Sequence, residues 1–462
     1  MSINTFSAKL KKLGVNTESI TDTTPLRGAA GLALPQKVVR PLTVEHIQAI
    51  QKIAHAEGVP LWVTPNASGN GLQVAQAKGA QAKGEPVLVD LSNMKAVLNI
   101  DNDSAHALVE PGVSYQQLSA ALQAKGYHFW IDSGRNAADS VVGGICDRSL
   151  GYSAYSDNLL MQCGMEVVTA DGALVRTGMG ALPKGDCWQL FKLGFGPYMD
   201  GSFTQSGLGI PTKIGLWISP APPAYRPFAL RIDDEQPMVA AVEVMRDLRI
   251  NMVVPNTVVV IDGDSERKLL GGNPAPWNIY GGLYGLPKNV DILWGMLNGV
   301  AAQLKVRLED LTQATDSAAQ ARAGLMQGKP AAAWHDYEKS VGSRYLRLVF
   351  ALPIEGDKAL HFAKRTQEVA RAAGCGVVVE QGTAWRTLMG EVLLSYAEGD
   401  VQRALACGNT LISEWAKQGI GVVRADPTFH KAAAATYSDP GFSKLQALLA
   451  EAVGASPARR AA

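Results

Sequence analysis

Between residues 44 and 113 the chain repeats one rhythm of helix, short apolar strand and small-residue loop. Ile47, Ile50, Ile53 and Ala54 recur at helical spacing over Val44–Glu57, and Gly58-Val59-Pro60 ends that helix. Pro60–Val63 reads as a buried strand. It runs into the loop Thr64-Pro65-Asn66-Ala67-Ser68-Gly69-Asn70-Gly71. Strands are predicted at Val87–Asp90 and Ala105–Glu110, and a second helix at Ser114–Lys125, closed by Gly126. Such alternation, with small residues between elements, calls for a layered domain containing both helices and sheet.

The chain has 462 residues, too many for one ordinary core, so two domains are expected. Pro220-Ala221-Pro222-Pro223 is the strongest punctuation, and it divides the chain into 1–220 and 221–462. Beyond it, Phe228–Ile232 reads as extended, and Gln236–Leu248, Leu360–Ala373 and Gln402–Gln418 read as helices. The tail Gly454–Ala462 is small and basic and is expected to be disordered.

A net charge of +1 gives no electrostatic reason to expect nucleic acid or an anionic membrane as partner. Seven Lys and Arg between Lys339 and Arg371 are interrupted by acidic and apolar residues and are expected on solvated faces. Cys146, Cys163, Cys187, Cys375 and Cys407 show no metal or disulfide spacing and are expected as buried free thiols. No signal-like apolar run opens the sequence. Cytoplasmic residence is the expectation, with periplasmic residence by co-export as the alternative.

Ser68-Gly69-Asn70-Gly71 is a loop through which backbone N–H groups can approach a pyrophosphate. It is neither a Rossmann fingerprint nor a Walker loop. Longer motifs carry more information. They are Asp147-Arg148-Ser149-Leu150-Gly151-Tyr152-Ser153-Ala154-Tyr155, Met161-Gln162-Cys163-Gly164-Met165-Glu166-Val167-Val168, and Gly194-Phe195-Gly196-Pro197 with Phe203-Thr204-Gln205. Together with the preceding elements they resemble the vanillyl-alcohol oxidase and 4-cresol dehydrogenase flavoproteins, strongly over about residues 35–225 and more weakly to about 435.

The resemblance implies an α+β fold, with an FAD-binding domain of this (PCMH) type followed by a C-terminal α+β cap. It implies an FAD-dependent oxidoreductase of para-substituted, lignin-type phenols. In that family the phenol is deprotonated, a hydride passes from the benzylic carbon to flavin N5, and water adds to the quinone methide. Such chemistry needs cations or donors for the phenolate and a polar group near the benzylic carbon. The implied FAD contacts are Pro65, Asn66, Ser68, Gly69, Asn70, Gly71, Gly143, Gly144, Gly151, Glu166, Gly209 and Ile210. Tyr337 and His335 are the candidate points of covalent attachment, with noncovalent FAD as the alternative. Candidate catalytic residues are Glu380, Arg386, Tyr396 and Asp147. A small aromatic substrate, an oligomeric assembly, and a c-type cytochrome or homologous flavoprotein subunit are the implied partners. No Cys-x-x-Cys-His motif is present, so any haem belongs to another chain.

Three departures qualify this. Ser68 and Asn70 stand where the 4-cresol branch carries loop tyrosines. Tyr396 has no adjacent Arg. The C-terminal Asn-x-Leu-x-Pro-Gly-Arg segment has no counterpart beyond Arg459-Arg460. The alternative they support is a catalytically degenerate structural or regulatory subunit of a heteromeric flavoprotein.

Overall fold

The computed structural model describes residues 3–74, 85–154, 157–329 and 333–455. Tyr155, the side chain of His335 and tail residues 456–462 lie outside the described residues. Gly454 and Ala455 are ordered, contrary to expectation. Asp171 donates its N–H to the Val453 carbonyl at 3.2 Å, and Ala455 is buried.

Among the described residues three larger sheets organise the fold, beside a two-stranded pairing of Phe129–Trp130 with Ser219–Pro220. The first has the strand order Thr17–Ser19, Lys37–Val39, Val87–Asp90, Leu61–Thr64, Gln73–Val74. Its three central strands are parallel. The crossover between two of them is the helix Val44–Glu57. Thr43 caps that helix by accepting the His46 N–H, and Gly58 closes it at φ +68°. Ile47, Ile50 and Ala54 are buried against Val63, Val87 and Val89, as the spacing predicts.

The second sheet is antiparallel, in the order Leu174–Arg176, Gln162–Thr169, Gly209–Trp217, His106–Val109, Val97–Asp101. The third is an eight-stranded antiparallel sheet drawn from residues 224–425. Its order is Arg307–Asp310, Ala224–Ile232, Trp277–Gly285, Val259–Asp262, Gly376–Ala384, Thr387–Ser395, Tyr345–Pro353, Gly421–Ala425.

Alternation along these last strands sorts residues between two environments. Val377, Val379, Val392, Leu394, Leu346 and Leu348 pack under the helices Glu235–Ile250, Gly356–Ala372 and Val401–Lys417, around Phe350, Phe362 and Trp415. Val378, Leu393 and Tyr345 lie on the opposite face, in a cluster with Tyr152, Trp334 and Tyr337. Glu380, Glu391 and Arg347 share the parity of that second face, which is turned toward the N-terminal half of the chain.

Two expectations need correction. Arg347 is not a solvated strand-face cation. Its side chain is 22% exposed and lines a cavity, because it alternates with the core residues Leu346 and Leu348. Cys187 is exposed, while the other four cysteines are buried free thiols.

Candidate active site

The cavity lies between the loop Ser68–Leu72 and the second face of the eight-stranded sheet. The loop's fold follows from its small polar residues. Asn66 Oδ1 accepts the Ser68 N–H at 3.0 Å, an Asx turn. Asn70 Nδ2 donates to the Ser140 carbonyl at 3.1 Å, while Asn70 Oδ1 accepts the Ser140 N–H at 3.0 Å. Ser140 in turn caps the short helix Val141–Cys146, its Oγ accepting the Gly143 N–H at 2.9 Å.

Loop and helix meet glycine to glycine. Gly71 sits at φ +68°, and a Cβ on it would fall 2.5 Å from Gly143 Cα. A Cβ on Gly144 would lie 2.4 Å from the Tyr115 hydroxyl, and one on Gly151 1.8 Å from Asp132 Oδ1. Gly69, Gly71, Gly143, Gly144 and Gly151 are therefore brought to one region of the chain. The loop residues line the cavity, and the last three stand behind it.

On the opposite wall the charges interlock. Glu380 Oε1 accepts from Arg135 and, at 2.7 Å, from the Tyr152 hydroxyl, and its Oε2 lies 2.7 Å from Arg322. Arg135 also reaches Glu391 at 2.8 Å. Arg424 lies 3.4 Å from Glu391 and 3.5 Å from Asp147, and Arg347 pairs with Asp147 at 2.9 Å. Behind them Arg322 forks onto the fully buried Glu266. Burial alone raises the Glu380 carboxyl, but Arg135 and Arg322 outweigh it and hold the group down to about 2. The Arg424 guanidinium is lowered too, but for a base that disfavours the charged form: burial and Arg347 beside it are the causes.

Asp132 and Asp139 are pushed up to about 6, chiefly by burial. Asp132 Oδ1 accepts the Tyr152 N–H at 2.9 Å, while its Oδ2 is buried without a partner among the described residues.

The remaining sequence candidates fall elsewhere. Glu166 is buried in the second sheet and paired with Arg176 and Lys213, each at 2.8 Å. Burial raises its carboxyl, but the bonds from Lys213 and Arg176 outweigh this and leave it lowered. Gly209 and Ile210 open the neighbouring strand, with Ile210 in a core. Pro65 and Asn66 brace the loop from outside the cavity. Tyr337 is buried behind Trp334 and Tyr345, ring centroids 5.4 and 5.8 Å away, and its hydroxyl has no hydrogen-bond partner among the described residues. Tyr396 is half-buried and does not line the cavity, and Arg386 is exposed in the turn after Ala384. Asp147 and Glu380 are the catalytic candidates that the structure draws to this wall.

Sequence reasoning missed Arg27, Arg135, Arg347, Arg424, Glu391 and Tyr115, all lining the cavity. The absence of an Arg beside Tyr396 is thus no absence of cations from the pocket: they come from other elements. For Arg347 and Glu391 a signal existed, since each alternates with apolar neighbours along its strand. Arg424 offered none. The register shifts between Val349 and Phe350, so Val422 pairs Phe350 on the helix-covered side while Arg424 pairs Val349 on the cavity side.

Among the described residues no cluster of side chains could hold a metal, and no helix is long and apolar enough to cross a membrane.

A mixed parallel sheet joined to a second antiparallel sheet, a glycine loop packed on a helix start, and a large cap sheet closing the pocket define an FAD-binding oxidoreductase architecture. Residues 35–178 match the FAD binding domain family. The chain is 31% identical over 452 residues to the 4-cresol dehydrogenase [hydroxylating] flavoprotein subunit of Pseudomonas putida, covering 91% of this chain and 85% of that one. It superposes on p-cresol methylhydroxylase with substrate bound at TM-score 0.86 and 28% identity, covering 97% and 94% of the two chains. With 4-ethylphenol oxidase from Gulosibacter chungangensis it shares the fold at TM-score 0.88 and 24% identity, covering 98% and 94%. The chain belongs to the vanillyl-alcohol oxidase and 4-cresol dehydrogenase flavoprotein family, and FAD is its cofactor. Its own residues fit that group: the Gly71–Gly143 contact leaves no room for side chains, so backbone lies bare at the cavity's edge.

Proposed function

We propose that this protein oxidises para-substituted, lignin-type phenols by hydride transfer from the benzylic carbon through a quinone methide. The observation that carries this reading is the wall of Arg135, Arg347 and Arg424 facing the glycine loop. A phenol gives up a benzylic hydride readily only as its phenolate, and buried cations favour that form. Bound FAD supplies the hydride acceptor, and the loop Pro65–Gly71 is proposed to hold its pyrophosphate.

The chain's own groups divide the remaining work. A carboxyl held at about 2 is ionised throughout the neutral range, so Glu380 is a poor general base. Its proposed role is to position Arg135 and the Tyr152 hydroxyl. Asp147 likewise positions Arg347 and Arg424. Arg386 and Tyr396 are left outside the proposed phenol contacts because neither lines the cavity. Tyr337 is the proposed point of flavin attachment, supported by a buried hydroxyl that makes no hydrogen bond among the described residues. Electrons are proposed to leave for a c-type cytochrome on a separate chain, as suits a relative described as a flavoprotein subunit.

The test is the visible spectrum of the purified protein, followed by turnover of 4-alkylphenols with cytochrome c and with oxygen. Flavin bands and acceptor reduction are expected. A colourless protein that cannot be reloaded with FAD would overturn the proposal in favour of a non-catalytic subunit.

A further inference from the structure

Four arginines are buried among the described residues: Arg135, Arg231, Arg249 and Arg322. Three of them hold glutamates. Arg135 reaches Glu391 at 2.8 Å, Arg231 reaches Glu309 at 2.6 Å, and Arg322 reaches Glu380 at 2.7 Å. Arg249, only 4% exposed, pairs with no carboxylate among the described residues. Its Nη1 finds the Met252 thioether sulfur at 3.5 Å, a weak acceptor, and its Nε is buried with no acceptor among those residues. Burial lowers this guanidinium, and no neighbouring charge raises it again.

The backbone nearby does not take up the charge. Arg249 stands in the last turn of the helix Glu235–Ile250, where terminal carbonyls attract cations. Those carbonyls are already engaged. The Asp247 carbonyl accepts the Asn251 N–H at 3.0 Å and its side-chain amide at 2.9 Å. The Leu248 carbonyl accepts the Val253 N–H at 2.9 Å, and the Arg249 carbonyl accepts the Met252 N–H at 3.1 Å.

Two residues in the left-handed region border the guanidinium. Met252 sits at φ +56° and Trp385 at φ +52°, a conformation that is uncommon without glycine and rarer for a bulky side chain. Trp385 lies in the turn between the strands Gly376–Ala384 and Thr387–Ser395, and its Nε1 donates to Asp157 Oδ2 at 2.9 Å. Its ring centroid is 5.7 Å from the guanidinium. Both side chains are exposed although both are largely apolar. An unpaired cation bordered by an exposed indole and an exposed thioether calls for a ligand with an anionic end and a flat apolar body.

We propose that Arg249, Met252 and Trp385 form a binding site for a small aromatic carboxylate. The carboxylate takes the open N–H groups of the guanidinium, and the ring lies against the indole and the thioether. None of the three residues lines the cavity, so the site is separate from the one described above and does not depend on the phenol reading.

The test is calorimetric titration of the FAD-loaded full-length protein with benzoate, for the wild type, R249M and R249K. The cavity arginines offer benzoate a second place to bind, so the difference between proteins is what is read. The wild type is expected to show a binding component that is at least about tenfold weaker in R249M, with flavin content unchanged. R249M removes an unpaired buried charge and is expected to fold at least as well as the wild type. R249K keeps the charge without the planar fork and is expected to fall between the two. Benzyl alcohol, which has the ring but no charge, is expected not to compete for this component. Identical isotherms for the wild type and R249M would overturn the proposal and leave benzoate in the cavity alone. If R249M does not fold, identical isotherms for the wild type and R249K would do the same. Sulfate competing as strongly as 4-fluorobenzoate would overturn the assignment to an aromatic ligand. Benzoate binding intact in R249M, with binding of cytochrome c lost, would overturn it in favour of a protein partner.

Discussion

Glu380 and Glu391 sit directly opposite one another on adjacent antiparallel strands, and Arg135 reaches both. Like charges in cross-strand register repel, so the pair depends on the cation between them. That cation comes from the segment before the glycine-lined helix, which ties the cap sheet electrostatically to the N-terminal half.

Arg135→Met is therefore expected to destabilise the protein by about 3–5 kcal/mol, the range for breaking a buried pair from one side. Arg322 and Arg424 remain to hold one glutamate each, which favours the lower end. Urea unfolding monitored by tryptophan fluorescence measures this. Adding Glu380→Gln to Arg135→Met should cost less than the sum of the single changes, the signature of direct coupling. Strict additivity would count against the bridge.

The same glutamate sets an acid limit on stability. Its folded value, about 2, is depressed below the ordinary 4.5. Its contribution is therefore complete above 4.5 and is lost as pH falls from there toward 2. The size is on the order of 3 kcal/mol. Asp132 has the opposite sign. Raised from 3.8 to about 6, it favours the folded state when protonated, and that advantage disappears as pH rises through this interval. Urea titrations from pH 3 to pH 8 should show Glu380→Gln flattening the acid limb and Asp132→Asn flattening the slope between 4 and 6.

Much of this architecture is legible in the sequence where local signals and tertiary packing agree. The helix Val44–Glu57 begins and ends at its Thr43 and Gly58 caps, and the strand Val87–Asp90 has no alternation to misread because it is buried on both faces. The glycine loop was visible for the same reason: only backbone fits between Gly71 and Gly143. The pocket's cations were hidden because their direction depends on register. Arg424 faces the cavity only because of the irregular pairing opposite Val349 and Phe350, and a strand read alone does not reveal its partner's bulge. Arg27 was hidden differently, since its position depends on contacts to Thr428 and Asp426, some 400 residues away in sequence.

The glycine loop offers a direct test of cofactor placement. Gly69→Glu would place a negative charge on a loop proposed to hold a pyrophosphate, at a residue already in the left-handed region (φ +76°). FAD content, read as flavin absorbance per protein, is expected to fall by at least tenfold, while the far-ultraviolet circular dichroism of the apoprotein stays close to wild type. Undiminished flavin would place the phosphates elsewhere.

Tyr337 allows chemistry to be separated from folding. A buried hydroxyl without a partner costs free energy in the folded state, so removing it should be neutral or slightly stabilising. The ring contacts with Trp334 and Tyr345 survive in phenylalanine. Tyr337→Phe is therefore expected to unfold at the same urea concentration as wild type or slightly higher. If Tyr337 bears the flavin, acid precipitation of the wild type should leave the yellow colour in the pellet, and the variant should release it to the supernatant. Colour retained in the variant's pellet would move the attachment to another residue. Colour released from both proteins would make the cofactor noncovalent and leave Tyr337 as a buried aromatic whose ring supports the cavity wall.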